Sequence, residues 1–100
     1  MSIYIVQNRV AKTRFSEPIV AANDIVALLG FAQFVRSEES KNSTPKRVYA
    51  LYRAAKIDEE GRITADENSF VKIANGDEAD ELYNEKMQEA FEKEESAIVE

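Results

Sequence analysis

Between Ile25 and Val35 the chain offers almost no polar side chain. Ile25, Val26, Leu28, Leu29, Phe31, Phe34 and Val35 fall on every side of a helix. A helix without a polar face has to be surrounded, as the central core element or as half of an oligomer interface. Core is the reading adopted for a chain of 100 residues, which supports one core and not two. Asn23-Asp24 offers the start, and Gly30 in the interior suggests close packing or a break. The run is far short of the roughly 18 apolar residues that span a membrane.

The remaining elements are read around this one. Ser2 to Val6 carries β-branched and aromatic side chains on both faces, the pattern of a strand buried on both sides. Arg9 to Phe15 supplies a second extended stretch and the option of a small hairpin, although Gln7-Asn8 lacks the glycine of a tight turn. Ser16-Glu17-Pro18 reads as a helix start, and Arg36 to Ser43 as a polar loop. Thr44-Pro45 opens the clearest helix, with Val48, Leu51, Tyr52 and Ala55 at i, i+3, i+4 and i+7, ending near Ile57 at the turn Asp58-Glu59-Glu60-Gly61.

Arg62 to Asn75 reads two ways. Thr64 and Glu67 have capping-box spacing before a Phe70/Ile73/Ala74 face, whereas Arg62 to Thr64 and Phe70 to Ile73 also suit two strands about a turn at Asp66 to Ser69. The helix is preferred. Asn75-Gly76 then stops this element, and Asp77 caps a last helix to about Ser96 with Leu82, Tyr83, Met87, Ala90 and Phe91 on one side.

The expected fold is therefore mainly α within the α+β class, a single compact domain over residues 1–100. Three or four helices pack around Leu28, Leu29, Phe31, Val48, Leu51, Tyr52, Ile73 and Phe91, with a short N-terminal strand and an optional hairpin. An all-α arrangement is the alternative. No internal repeat is legible.

Charge divides the chain. Residues 1–57 hold nine Lys/Arg against four Asp/Glu, net +5, and residues 58–100 hold four against fifteen, net −11. Such asymmetry points to charged partners or an acidic tail. In the basic half, Lys46, Tyr49, Arg53 and Lys56 would lie within roughly 80° of one another on the outer side of the Thr44 helix. Arg47 stands beside them, and Arg36 and Lys41 precede them. Cations around an exposed aromatic suit phosphate contacts and stacking. In the acidic half, Glu81, Glu85, Glu89 and Glu92 line one side of the last helix, a ridge for a basic partner.

Catalytic chemistry finds little footing. Histidine and cysteine are absent, which removes the usual proton carrier, the thiolate nucleophile and the commonest metal ligands. The three glycines form no phosphate loop, and neither Asp58 nor Asp66 opens a calcium loop, because Arg62 and Val71 occupy required positions. The run Asn23 to Phe31 suits the first helix of a helix-turn-helix reader, but apolar residues continue to Val35, beyond a turn of about 3–4 residues.

The expectation is a cytoplasmic, non-enzymatic regulatory or inhibitory protein without metal or cofactor. It would bind another protein through its charged helix faces, away from membranes, with a homodimer open. A DNA-binding regulator using Lys46, Tyr49, Arg53 and Lys56 is the alternative.

Overall fold

The computed structural model describes residues 1–14, 18–65 and 71–99, with side chains for 1–12, 18–65 and 71–90. Among the described residues the order is β1 (Ser2–Asn8), β2 (Thr13–Arg14), β3 (Ile19–Ala21), α1 (Asp24–Asn42), a 3-10 turn (Lys46–Val48), β4 (Tyr49–Ile57), β5 (Ile63–Ala65), β6 (Val71–Asn75) and α2 (Gly76–Val99). Two helices and an antiparallel sheet replace the expected three or four packed helices, and the alternative without strands fails with them.

The sheet has four strand positions. β1 and β4 pair antiparallel at its centre, from Ser2 opposite Lys56 to Asn8 opposite Tyr49. β2 and β3 share the free side of β1, one at each end, and β5 and β6 share the free side of β4 in the same way. The sequence of long strand, interrupted edge strand and helix thus occurs twice, once before and once after Ser43.

Both helices cover one side of this sheet. Tyr4 and Val6 from β1 and Tyr49 and Leu51 from β4 meet Ala27, Phe31, Ala32 and Val35 from α1 and Ala79 from α2. Leu28, Phe34, Val48, Ile73 and Tyr83 pack around them. Of the expected core, Phe31 and Leu51 are fully buried, Leu28, Val48 and Ile73 flank the cluster, and Leu29 is half-buried. Tyr52 falls on the other side of the sheet, and the side chain of Phe91 lies outside the described residues.

Helix α1 satisfies its first turn through the Asn23 side chain, whose Oδ1 accepts from the Val26 N–H at 2.9 Å. It runs straight through Gly30, where a Cβ would meet nothing within 4 Å, so that glycine marks neither a close approach nor a break. Arg36 to Asn42 continues the helix rather than forming a loop. Its polar side chains have partners on the helical surface: Arg36 reaches α2, and Asn42 donates to Glu38 one turn back. Ser43 ends the helix in the left-handed region, with φ 56°.

The Thr44 helix is replaced by the 3-10 turn and β4. The apolar residues that make a helical stripe here also suit a central strand, which needs apolar side chains on both sides. Pairing with β1, some fifty residues away in sequence, selects the strand. Arg62 to Asn75 is likewise extended, and β5 and β6 pair with β4 rather than with each other. The capping-box glutamate Glu67 and the turn at 66–69 lie outside the described residues, as do Ser16 and Glu17. The helix expected after Pro18 is instead strand β3.

Helix α2 begins at Gly76 and not after it. Asn75 donates its N–H to Glu78 Oε1 at 3.1 Å, one half of a capping box. A Cβ at Gly76 would sit 2.1 Å from the Lys46 carbonyl oxygen, so only glycine lets α2 start against the 3-10 turn.

Candidate functional site

The basic quartet does not share a helix face. Tyr49 and Lys56 stand near opposite ends of β4, about 23 Å apart at strand rise. Tyr49 is buried, its ring edge-on to Phe34 at a centroid distance of 5.2 Å. Burial pushes its phenol up. Lys56, Arg47 and Lys41 are exposed, and the Arg47 carbonyl accepts from the Arg9 guanidinium at 3.0 Å.

The other cations are spent inside the molecule. Lys46 Nζ reaches Asp80 Oδ2 at 3.1 Å and Glu39 Oε1 at 3.3 Å. Arg36 donates through Nε to Asp80 and through a terminal nitrogen to Asn84, while its guanidinium lies 4.3 Å over the Tyr83 ring. Asp80, with a side chain only 14% exposed, therefore joins α1, the 3-10 turn and α2. Burial pushes its carboxyl up, but the hydrogen bonds from Arg36 and Lys46 outweigh this and hold it below its ordinary value. The hydrogen bond to Asp80 raises Lys46 in return, against desolvation and with Glu39 adding.

Arg53 points to the helix side of the sheet and pairs with Asp24 at 3.0 Å. The same carboxylate accepts from the Tyr4 hydroxyl at 2.5 Å. Thus the basic and acidic halves meet within one molecule at Asp80, while Asp24 receives Arg53 within the basic half. The acidic ridge is not part of this meeting. Glu81, Glu85 and Glu89 are exposed on α2, Glu89 lies 3.7 Å from Lys86, and the side chain of Glu92 is outside the described residues.

A different surface emerges on the far side of the sheet. Register places Ile3 and Ile5 of β1, Val20 of β3, Ala50, Tyr52, Ala55 and Ile57 of β4, and Ile63 and Ala65 of β5 away from the helices. They lie outside the cluster under the helices, yet Ala50 and Ala55 are buried, and Ile3, Ile5, Tyr52 and Ile57 are half-buried. Val20 is 54% and Ile63 65% exposed. The thinnest axis of the molecule is 18 Å, the depth of one sheet and one helix layer.

An antiparallel sheet that turns one side to water ordinarily alternates apolar with polar residues, and here the apolar residues share their side with only Gln7, Lys72 and Asn75 among the described side chains. The only hint in the sequence is the doubly apolar stretch Ser2 to Val6. The rest of the surface is assembled by pairing and is invisible along the chain.

Among the described residues no three acidic side chains are grouped to hold a metal, and no helix is long and apolar enough to cross a membrane. No protein-family model, curated protein or solved structure matches the chain.

Proposed function

We propose that the chain is a small non-enzymatic regulatory protein that acts by binding another protein, and that the contact surface is the open side of its sheet. The observation that carries this reading is the exposure of large apolar side chains on that side, Val20 and Ile63 each being more than half exposed. Exposed large apolar side chains are a cost in water unless a partner covers them. Exposed Lys41, Arg47 and Lys56, and Glu81, Glu85 and Glu89 on α2, serve steering and solubility rather than the main contact. Cytoplasmic residence belongs to the same proposal and draws support from the absence of cysteine.

A nucleic-acid reading draws less support. Lys46 and Arg53 have carboxylate partners within the molecule, and Tyr49 is buried rather than available for stacking.

Photo-cross-linking in the protein's own cells tests the proposal. A photoreactive phenylalanine analogue in place of Val20 or Ile63 is expected to give protein adducts, and the same analogue at Glu81 or Glu85 few or none. Adducts confined to the α2 positions, or adducts to nucleic acid alone, would reject the open side as the contact surface.

A further inference from the structure

We infer that the β1–β2 turn (residues 9–12) and the 3-10 turn beside it receive an acidic segment of the partner protein. This rests on reading the chain as a protein binder, and it names the charge of what is bound.

Segregation of charge is the first support. Residues 1–16 and 43–57 hold seven Lys/Arg between them and no Asp or Glu, although the chain carries a net charge of −6. The two stretches meet where β1 ends and β4 begins, Asn8 opposite Tyr49. Arg9, Val10, Lys12 and Arg47 are exposed there, Val10 at 78%. Among the described residues Arg9, Lys12 and Arg47 have no carboxylate partner, whereas Lys46 is taken up by Glu39 and Asp80. On the helix side of this end Glu38 receives Asn42, and Glu78 receives the Asn75 N–H. Asp77 stands exposed beyond β6, on the far side of β4 from the β1–β2 turn.

Fixed geometry is the second. Asn8 Oδ1 accepts from the N–H groups of Val10 and Ala11 at 3.0 and 2.9 Å, which closes the turn from within. Arg9 is tied twice to the 3-10 turn, by its N–H to the Val48 carbonyl at 2.7 Å and by one guanidinium nitrogen to the Arg47 carbonyl at 3.0 Å. That leaves the rest of a planar, five-donor fork for a carboxylate. Lys12 stands at φ 55°, a position that glycine or asparagine takes with less strain. Side chains held in this way cost less to order when a contact forms.

The occupant follows from the surroundings. An arginine beside an exposed aliphatic side chain is the make-up of a protein contact. Nucleic acid fits less well. Neither turn holds an aromatic side chain for bases to stack on. A duplex carries a charge about every 1.7 Å and runs on past the turn, where a body of net charge −6 repels it. A short acidic segment ends within the cationic stretch.

Fluorescence anisotropy at low salt tests the inference on the full chain, with a short labelled oligoglutamate peptide as probe and a labelled DNA duplex of equal charge beside it. The peptide is expected to bind, and more tightly than the duplex. Arg9→Glu with Arg47→Glu, and separately Lys12→Glu, are expected to weaken it about tenfold or more, with unchanged far-ultraviolet circular dichroism spectra. Lys56→Glu, a charge reversal near the other end of β4, is expected to stay within about twofold of the wild type. An unbound peptide, a duplex that binds more tightly, or an equal loss in Lys56→Glu would each overturn the inference.

A photoreactive phenylalanine analogue in place of Val10, in the protein's own cells, separates this inference from the reading beneath it. Adducts are expected on an Asp/Glu-rich stretch of the protein that positions 20 and 63 also reach. Protein adducts from positions 20 and 63 with none from position 10, or adducts from position 10 to nucleic acid, would sink the acidic segment and leave the sheet as a contact surface. Adducts on an acidic stretch from position 10 alone would uphold it while rejecting the sheet.

Discussion

Tyr4 has no exposed surface, and its hydroxyl must therefore find an acceptor inside the protein. It donates to Asp24, the first residue of α1, which also receives Arg53 from the strand opposite. Burial, with the carboxylate acceptor adding, pushes the phenol up to about 12 from its ordinary 10.0. A phenol whose folded value is raised keeps its proton longer when folded than unfolded. Its contribution to stability is thus complete below pH 10.0 and is lost as pH rises towards 12. Spectrophotometric titration of the four tyrosines is expected to show a step near pH 12, which Tyr4→Phe abolishes. If Tyr4→Phe leaves that step unchanged, the buried hydroxyl is not its source.

At the scale of elements, two glycines carry opposite predictions. Gly76 opens α2 against the 3-10 turn, and a methyl group there would overlap the Lys46 carbonyl and press on Val35. Gly76→Ala is expected to lower stability by about 1–3 kcal/mol, despite the better helix propensity of alanine. Gly30→Ala, with open space around it in mid-helix, is expected to raise stability by about 0.5–1 kcal/mol. Thermal unfolding of both variants checks the pair, each kcal/mol corresponding to roughly 4–8 °C in a domain of this size. Equal effects would mean that α2 does not start where the close approach places it.

The whole molecule is two layers, and the polar junction at Asp80 ties the helix layer to itself and to the turn before β4. Asp80→Asn is expected to cost about 1–3 kcal/mol at neutral pH, the worth of hydrogen bonds to charged groups, towards the lower end because Arg36 is partly solvated. The sign with pH follows from the direction of the shift. A carboxyl held below its ordinary 3.8 contributes stability above that value and loses it as pH falls through the folded one. Wild type and Asp80→Asn are thus expected to differ in Tm at pH 7 and to converge below pH 4, read by thermal denaturation across the acid range. A gap that persists undiminished in acid would show that the charge of Asp80 is not what holds the layer.

The sequence by itself determined the local elements whose periodicity admits one reading. Ile25 to Val35 lies in a helix started by Asn23, the segment after Gly76 forms the last helix, and Ser2 to Val6 is a strand with apolar residues on both sides. It also determined the charge asymmetry between the halves. Tertiary structure alone decided the rest. Val48, Leu51, Tyr52 and Ala55 satisfy a helical repeat and a central strand equally well, and only pairing with β1 breaks the tie. That one decision turned the supposed basic helix face into a strand, buried Tyr49, and sent Lys46 and Arg53 to carboxylates far away in the chain. It also gathered isoleucines from separate strands onto the side of the sheet away from the helices, because hydrogen bonding across strands, not spacing along them, sets which residues share a sheet face.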